Sequence, residues 1–195
     1  MSDFDIVCLQ EVDLGGRRSG YISQLDALQT RGGFDHAVSQ INRTVGKTSI
    51  HGNAILSRFP IEGFEDHKLP SRIPGRGKLI AQIEGLAVVN THLSLDAKTQ
   101  NLQLESVAAR LKPHQKRVVM GDLNCLASAP HLLDFAQKAD LHLLTHVGDK
   151  TYPSWRPRQG LDHILVSDHF QTAESTVHDF RLSDHLPVSI EIKKP

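Results

Sequence analysis

The sequence predicts an α/β or α+β fold, with amphipathic helices laid over β-sheets. Two patterns carry the prediction: short β-rich apolar runs recur along the whole chain, and three segments space their apolar residues as a helix does. The runs are Phe4–Gln10, Asn53–Ser57, Lys78–Ile83, Leu86–His92, Arg117–Gly121, His163–Ser167 and Leu186–Ile192, most of them bounded by Gly, Pro, Asn or Asp. The helical segments are Tyr21/Leu25/Leu28, Leu104/Val107/Ala108/Leu111 and Leu132/Phe135/Ala136/Ala139, and the last two match the i, i+3, i+4, i+7 pattern in full. Asp96 supplies an N-cap region for the second helix, and Pro130 suits the first turn of the third. Strand order is not readable from these patterns.

Composition narrows the class of protein. A chain of 195 residues without internal repeat or Pro/Ser-rich linker reads as a single domain, 1–195, around one core. With 39% hydrophobic and 23% charged residues it is not a disordered chain. Twenty-two Lys and Arg balance 22 Asp and Glu, so no global basic field draws the chain to nucleic acid or an anionic membrane, and any such binding is local. No stretch approaches the roughly 20 apolar residues of a membrane span. The first five residues include Asp3 and Asp5 where a secretory signal carries Lys or Arg, which together with only two cysteines, Cys8 and Cys125, gives a cytoplasmic expectation. Two cysteines are also too few for a disulfide framework or a structural zinc site. The 12 histidines are unusual in number, but position alone promotes one to a catalyst.

Polar residues break the pattern at the ends of strands. Glu11 follows Ile6-Val7-Cys8-Leu9-Gln10; Asn90 and His92 close the run from Leu86; Asp122 and Asn124 follow Val118-Val119-Met120-Gly121. Asp162 and the pair Asp184-His185 instead precede their strands. Where strands pair antiparallel, the C-terminal ends of some and the N-terminal ends of others share a rim, so these residues are expected in one cluster of carboxylates, amides and imidazoles. Carboxylates brought that close repel unless a cation neutralises them, which favours a hard divalent ion, Mg²⁺ or Mn²⁺. Zinc suits the set less, since thiolates and paired-ligand histidines are lacking.

Six stretches carry a family resemblance: Leu9-Gln10-Glu11-Val12, Gly52 to Pro60, Asn90-Thr91-His92-Leu93, Gly121-Asp122-Leu123-Asn124, Leu161-Asp162-His163-Ile164 and Ser183-Asp184-His185-Leu186-Pro187. In this order the sequence resembles the endonuclease/exonuclease/phosphatase superfamily of metal-dependent phosphohydrolases. The resemblance implies a four-layer α/β/β/α sandwich with two mainly antiparallel sheets and the site on their rim. It also implies that the domain lacks the family's first strand, whose final Asn helps complete the site. Carried over residue by residue, Glu11 is the metal ligand, with Asp184 near the metal. His185 stands beside the scissile phosphate and Asp162 fixes its tautomer, as an Asp does in a serine-protease triad. Asp122 and Asn124 orient the attacking water and the phosphate, and His92 donates to a phosphate oxygen or protonates the leaving group. The implied reaction is in-line attack of water on phosphorus.

Plainer readings stand beside these. Asp122-Leu123-Asn124 alone reads equally as a turn whose side chains bond their own backbone. His185 alone reads as a satisfied histidine and Glu11 as a solvated acid. Asn53 falls within a matching stretch and, with Asn90, joins the substrate-binding candidates. Arg58, Arg76 and the pair Arg17/Arg18 are phosphate contacts or exposed solubility arginines. Trp155 stacks on a base or sugar, or caps the core. The expected activity is that of a phosphodiesterase acting on nucleic acid or a nucleotide-like diester, with Arg72, Arg76, Lys78, Arg156 and Arg158 as a local basic strip. A lipid diester or a phosphomonoester ranks lower, and a noncatalytic binding protein that kept the fold is the rival from another class.

Overall fold

The computed structural model describes residues 3–46, 48–72 and 74–193, apart from the side chain of Arg18. It divides into two compact units, Met1–His92 and Leu93–Pro195. The mixed α/β class expected from the sequence is the one observed.

The first unit holds six strands and one helix. Strands β1 (Ile6–Asp13), β2 (His36–Val45) and β3 (Ser49–Ser57) form an antiparallel sheet in the order β1-β3-β2. Strands β4 (Ile61–Lys68), β5 (Gly77–Ile83) and β6 (Leu86–His92) form a second antiparallel run. Helix α1 (Gln24–Gly32) begins at Ser23, whose hydroxyl accepts from Asp26 N at 3.2 Å, and it ends at Gly33 in the left-handed conformation. Its Leu25 packs with Val12, Phe34, Ala54 and Leu56, so one face of the first sheet lies under the helix. The other face meets the second sheet through buried amides. Asn53 Nδ2 donates to Gly77 O at 3.1 Å, and Asn90 Nδ2 donates to Ala54 O at 2.8 Å. A helix, a sheet and a second sheet therefore stack in that order within this unit.

The second unit holds helices α2 (Ala97–Leu111) and α3 (Pro130–Lys138) with strands β7 (Arg117–Asp122), β8 (His142–Leu143) and β9 (Asp162–Val166), paired antiparallel in the order β7-β9-β8. Asp96 caps α2 by accepting from Thr99 N at 2.9 Å, and Pro130 opens α3, as their positions in the sequence foretell. Leu104, Val107 and Leu111 of α2 and Leu132, Phe135 and Ala136 of α3 are buried. Two short ribbons finish the chain: β10 (Gln171–Thr172) with β13 (Ile192–Lys193), and β11 (Thr176–Val177) with β12 (Val188–Ser189). The expected single strand Leu186–Ile192 is thus two short pieces. Among the described residues no helix is long and apolar enough to cross a membrane.

Strands β2 and β4 escape the sequence patterns. Each lies at the end of its run, and β4 is mostly exposed, with Glu62, Glu65 and Asp66 among its eight residues. A strand solvated on one face and one edge needs no apolar run.

Gly52 shows why one of the matching stretches begins with glycine. β2 shifts register against β3 between Ile41 and Arg43, which brings the backbones together, and a Cβ at Gly52 would lie 1.9 Å from the Gln40 carbonyl oxygen. The obstacle is backbone and cannot swing aside. Gly52→Ala is expected to cost at least about 2 kcal/mol of folding free energy; an unchanged urea midpoint would contradict this account of the bulge.

Candidate active site

In the first unit the site residues gather at the end of β1. The strand shifts register against β3 between Leu9 and Val12, and Glu11 within the shift adopts φ +52. A left-handed glutamate costs on the order of 1–3 kcal/mol, which the surroundings must hold in place. Asn90 from β6 provides the hold. Its Nδ2 donates to Leu9 O at 2.8 Å as well as to Ala54 O, and its Oδ1 accepts from Gln10 Nε2 at 2.7 Å. The Glu11 side chain, 69% exposed, has its Oε1 3.4 Å from Arg76 Nη1 and 3.7 Å from His92 Nδ1. Arg76 Nη1 lies 2.8 Å from each ring nitrogen of His92. A guanidinium can only donate, so it is the unprotonated nitrogen of His92 that accepts.

In the second unit the antiparallel pairing of β7 and β9 places Asp122 directly opposite Asp162. The C-terminal end of one strand and the N-terminal end of the other thus share a rim. His185 completes the group: its Nδ1 lies 2.8 Å from Asp162 Oδ2, and its Nε2 lies 3.9 Å from Asp122 Oδ2. The first contact is a hydrogen bond; the second is too long for one. Tyr152 packs against the imidazole, ring centroids 4.8 Å apart. Burial opposes charge on this imidazole, but the hydrogen bond and charge of Asp162, with the charges of Asp122 and Asp184, prevail and raise its pKa from 6.5 to about 9. Asp122 Oδ1 also accepts from Asn124 N at 3.0 Å, and Asn124, at φ +51, donates from Nδ2 to Leu93 O at 3.0 Å.

The loop bearing His185 is fastened to the segment that bears Tyr152. Ser154 N donates to Asp184 O at 2.7 Å, Ser154 Oγ donates to Ser183 O at 2.6 Å, and Leu186 N donates to Thr151 O at 2.8 Å. Next along that segment, Trp155 is 66% exposed, and Arg156 and Arg158 are exposed beside it.

Among the described residues, one oxygen each of Asp122 and Asp162 and one nitrogen of His185 lie within 4.8 Å of one another, the spacing of a group able to hold a metal ion. This set differs from the pair expected from sequence. Asp184 is exposed and its carboxylate accepts from Ser183 Oγ at 3.0 Å. Glu11 offers an exposed carboxylate whose nearest cation is Arg76. Oxygen donors of this kind fit a hard divalent ion.

Three substrate-binding candidates bond the protein's own backbone. Asn53 is fully buried, with its Nδ2 on Gly77 O and Gln40 Oε1. Arg58 donates to Phe4 O, Gly32 O and Gly33 O and lies over the Phe34 ring, so it finishes the C-terminus of α1. Asn90 is equally buried and holds β1. Arg17 is exposed in a 3-10 turn at Arg17–Ser19, and the Arg18 side chain lies outside the described residues. Gln10, Gln100, Tyr152 and His163 were not singled out by sequence. Gln10 and His163 both lie inside matching stretches, but nothing local marks either as structural. His163 is buried, with Nε2 donating to Cys125 O and Nδ1 accepting from Thr145 Oγ1, both at 2.7 Å, and burial lowers its pKa.

Comparison with known proteins adds to this geometry. A family model described as the endonuclease/exonuclease/phosphatase family matches residues 1–185. The uncharacterized protein YbhP of Escherichia coli (strain K12) is 29% identical over 221 residues, covering 96% of this chain and 83% of that protein. A Bacteroides thetaiotaomicron VPI-5482 mannosyl-6-phosphatase structure matches with a TM-score of 0.79 at 18% identity, covering 98% of this chain and 86% of that one. An endonuclease/exonuclease/phosphatase structure from Beutenbergia cavernae DSM 12333 matches with a TM-score of 0.74 at 20% identity. The match covers 99% of this chain, which spans 63% of that longer one.

The raised pKa of His185 gives a signed pH dependence. A folded-state value near 9 against 6.5 unfolded means that the stabilisation is complete below pH 6.5 and is lost as pH rises through about 9. In EDTA the melting temperature of the wild type is expected to fall across that window, and Asp162→Asn to flatten the fall. Parallel wild-type and variant curves would contradict the pairing.

Proposed function

Because the chain belongs to the endonuclease/exonuclease/phosphatase family, whose members hydrolyse phosphoester bonds, we propose that it is an Mg²⁺- or Mn²⁺-dependent phosphodiesterase that attacks phosphorus in line with water. The observation that carries the reading is the Asp122, Asp162 and His185 group with its raised imidazole pKa. Perturbed titratable groups clustered in this way are a recurring feature of catalytic sites. At a phosphoester they supply a base, an orienting acid and a cation.

At neutral pH His185 is protonated, with Nδ1 donating to Asp162, which leaves Nε2–H free to donate to a phosphoryl oxygen. Asp122 accepts the proton of the attacking water, and Asn124 orients the phosphate. From the first unit, Arg76 is proposed as a phosphate contact, and His92 as the donor to a phosphate oxygen or to the leaving oxygen as its bond to phosphorus breaks. Glu11 in the first unit and Asp184 in the second are each proposed as ligands of the divalent ion. When bound, the divalent ion offsets charge on the phosphoryl oxygens.

We favour nucleic acid or a nucleotide-like diester as substrate. Trp155 presents an exposed ring of the kind on which a base stacks, and the arginines beside it suit phosphate oxygens. A cytoplasmic location and action as a single domain of 195 residues complete the proposal.

The first test is hydrolysis of a generic aryl phosphodiester with Mg²⁺ or Mn²⁺. Asp122→Ala and His185→Ala are each expected to lower kcat by about 10²–10⁴-fold, and EDTA to abolish turnover. If the wild type turns over no faster than the double variant, the enzyme reading fails. A panel of oligonucleotides, a choline phospholipid and a sugar monophosphate then ranks the substrates. Trp155→Ala is expected to raise KM for the oligonucleotide about 5–100-fold while leaving the aryl diester within about twofold.

A further inference from the structure

Asn124 takes its place at the phosphate with a left-handed backbone, and a single buried side chain grips that backbone from behind. Gln100, in the first turns of α2, is 2% exposed. Its Nε2 donates to Ser94 O at 2.7 Å and to Asn124 O at 2.9 Å, so both amide hydrogens are used. Three more bonds close the frame: Leu93 N to Asp122 O at 3.0 Å, Asn124 Nδ2 to Leu93 O, and Asn124 N to Asp122 Oδ1. One turn further along α2, Gln103 is equally buried, but its amide is directed at Ser94, accepting from Ser94 N at 2.8 Å and donating to Ser94 Oγ at 2.9 Å.

From this frame we infer that Gln100 is a positioning residue. It fixes the Asn124 carbonyl and thereby the direction of the Asn124 side chain, an inference that rests on the phosphoesterase reading for its consequence in catalysis. A half-buried carbonyl that loses its donor turns toward another partner, and the route open to it is rotation of the Asn124 peptide out of the left-handed region. The side chain then leaves its place, and small displacements of a positioning group cost rate more than affinity.

Gln100→Met keeps the length and apolar volume of the side chain while removing the amide, and Gln103→Met does the same one turn away. Gln100→Met is expected to lower kcat on the aryl diester about 10–100-fold with KM within about twofold. Gln103→Met, at a comparable loss of melting temperature, should keep kcat within about threefold. Added to Asn124→Ala, Gln100→Met should lower kcat no further. A crystal structure of Gln100→Met should show Asn124 outside the left-handed region. Should Gln100→Met fail to fold, Gln100→Glu, which keeps the length but cannot donate while ionised, is expected to show the same kcat loss and the same movement. Equal kcat losses in the two Met variants, multiplying losses with Asn124→Ala, or an unmoved Asn124 would each overturn the inference. Absence of turnover in the wild type defeats the phosphoesterase reading instead, and the crystal structure then decides by itself whether Gln100 holds Asn124.

Discussion

Repulsion between two carboxylates governs the second unit. The register of β7 against β9 sets Asp122 opposite Asp162, and both strands bury consecutive residues, so neither can slip by one residue without repacking side chains on both faces. The charges are therefore fixed by the same pairing that builds the core. His185 resolves the conflict by placing an imidazolium between them, bonded to one carboxylate and facing the other across 3.9 Å. The raised pKa of that imidazole measures how strongly the register demands a cation there. Its loop, its Tyr152 neighbour and the bonds from Ser154 all follow from the need to hold one ring in one place.

Two of the residues proposed to do chemistry have left-handed backbones. Of the five described non-glycine residues with positive φ, two are Glu11 and Asn124. Each is held by buried amides from a different element: Asn90 of β6 grips the backbone before Glu11, and Gln100 of α2 grips Asn124. A buried amide is costly unless satisfied, and the donors of these two are matched to carbonyls. Such contacts define position tightly because any movement leaves a polar atom without a partner. Apolar packing tolerates small shifts more readily.

Much of the site was legible in the sequence because polar residues at the ends of apolar strands have few structural uses. Asp122, Asp162 and His185 were found that way, and the structure brings all three together. The cap at Asp96 and the start of α3 at Pro130 were legible because they depend on neighbours in sequence alone. Asn53, Arg58 and Asn90 show the limit. Their stretches matched, yet their partners lie 13 to 81 residues away in the chain, and nothing local distinguishes an amide aimed at a backbone carbonyl from one aimed at a ligand. Gln100 was hidden for the opposite reason, since a glutamine in an amphipathic helix looks like ordinary polar surface until tertiary contacts bury it.

The bonds from Ser154 to the backbone of residues 183 and 184 divide labour within the segment that starts at Thr151. Thr151, Tyr152 and Ser154 touch or bond the loop that bears His185, whereas Trp155, Arg156 and Arg158 have exposed side chains, with Arg156 N donating to Pro153 O at 3.0 Å and Arg158 N to Tyr152 O at 2.8 Å. Side-chain substitutions at the outer positions leave the backbone bonds that anchor the imidazole in place. The backbone bonds from Arg156 and Arg158 to Pro153 and Tyr152 tie the outer residues to the same anchor. The exposed outer side chains and the anchored imidazole thus belong to one stapled pair of chain segments.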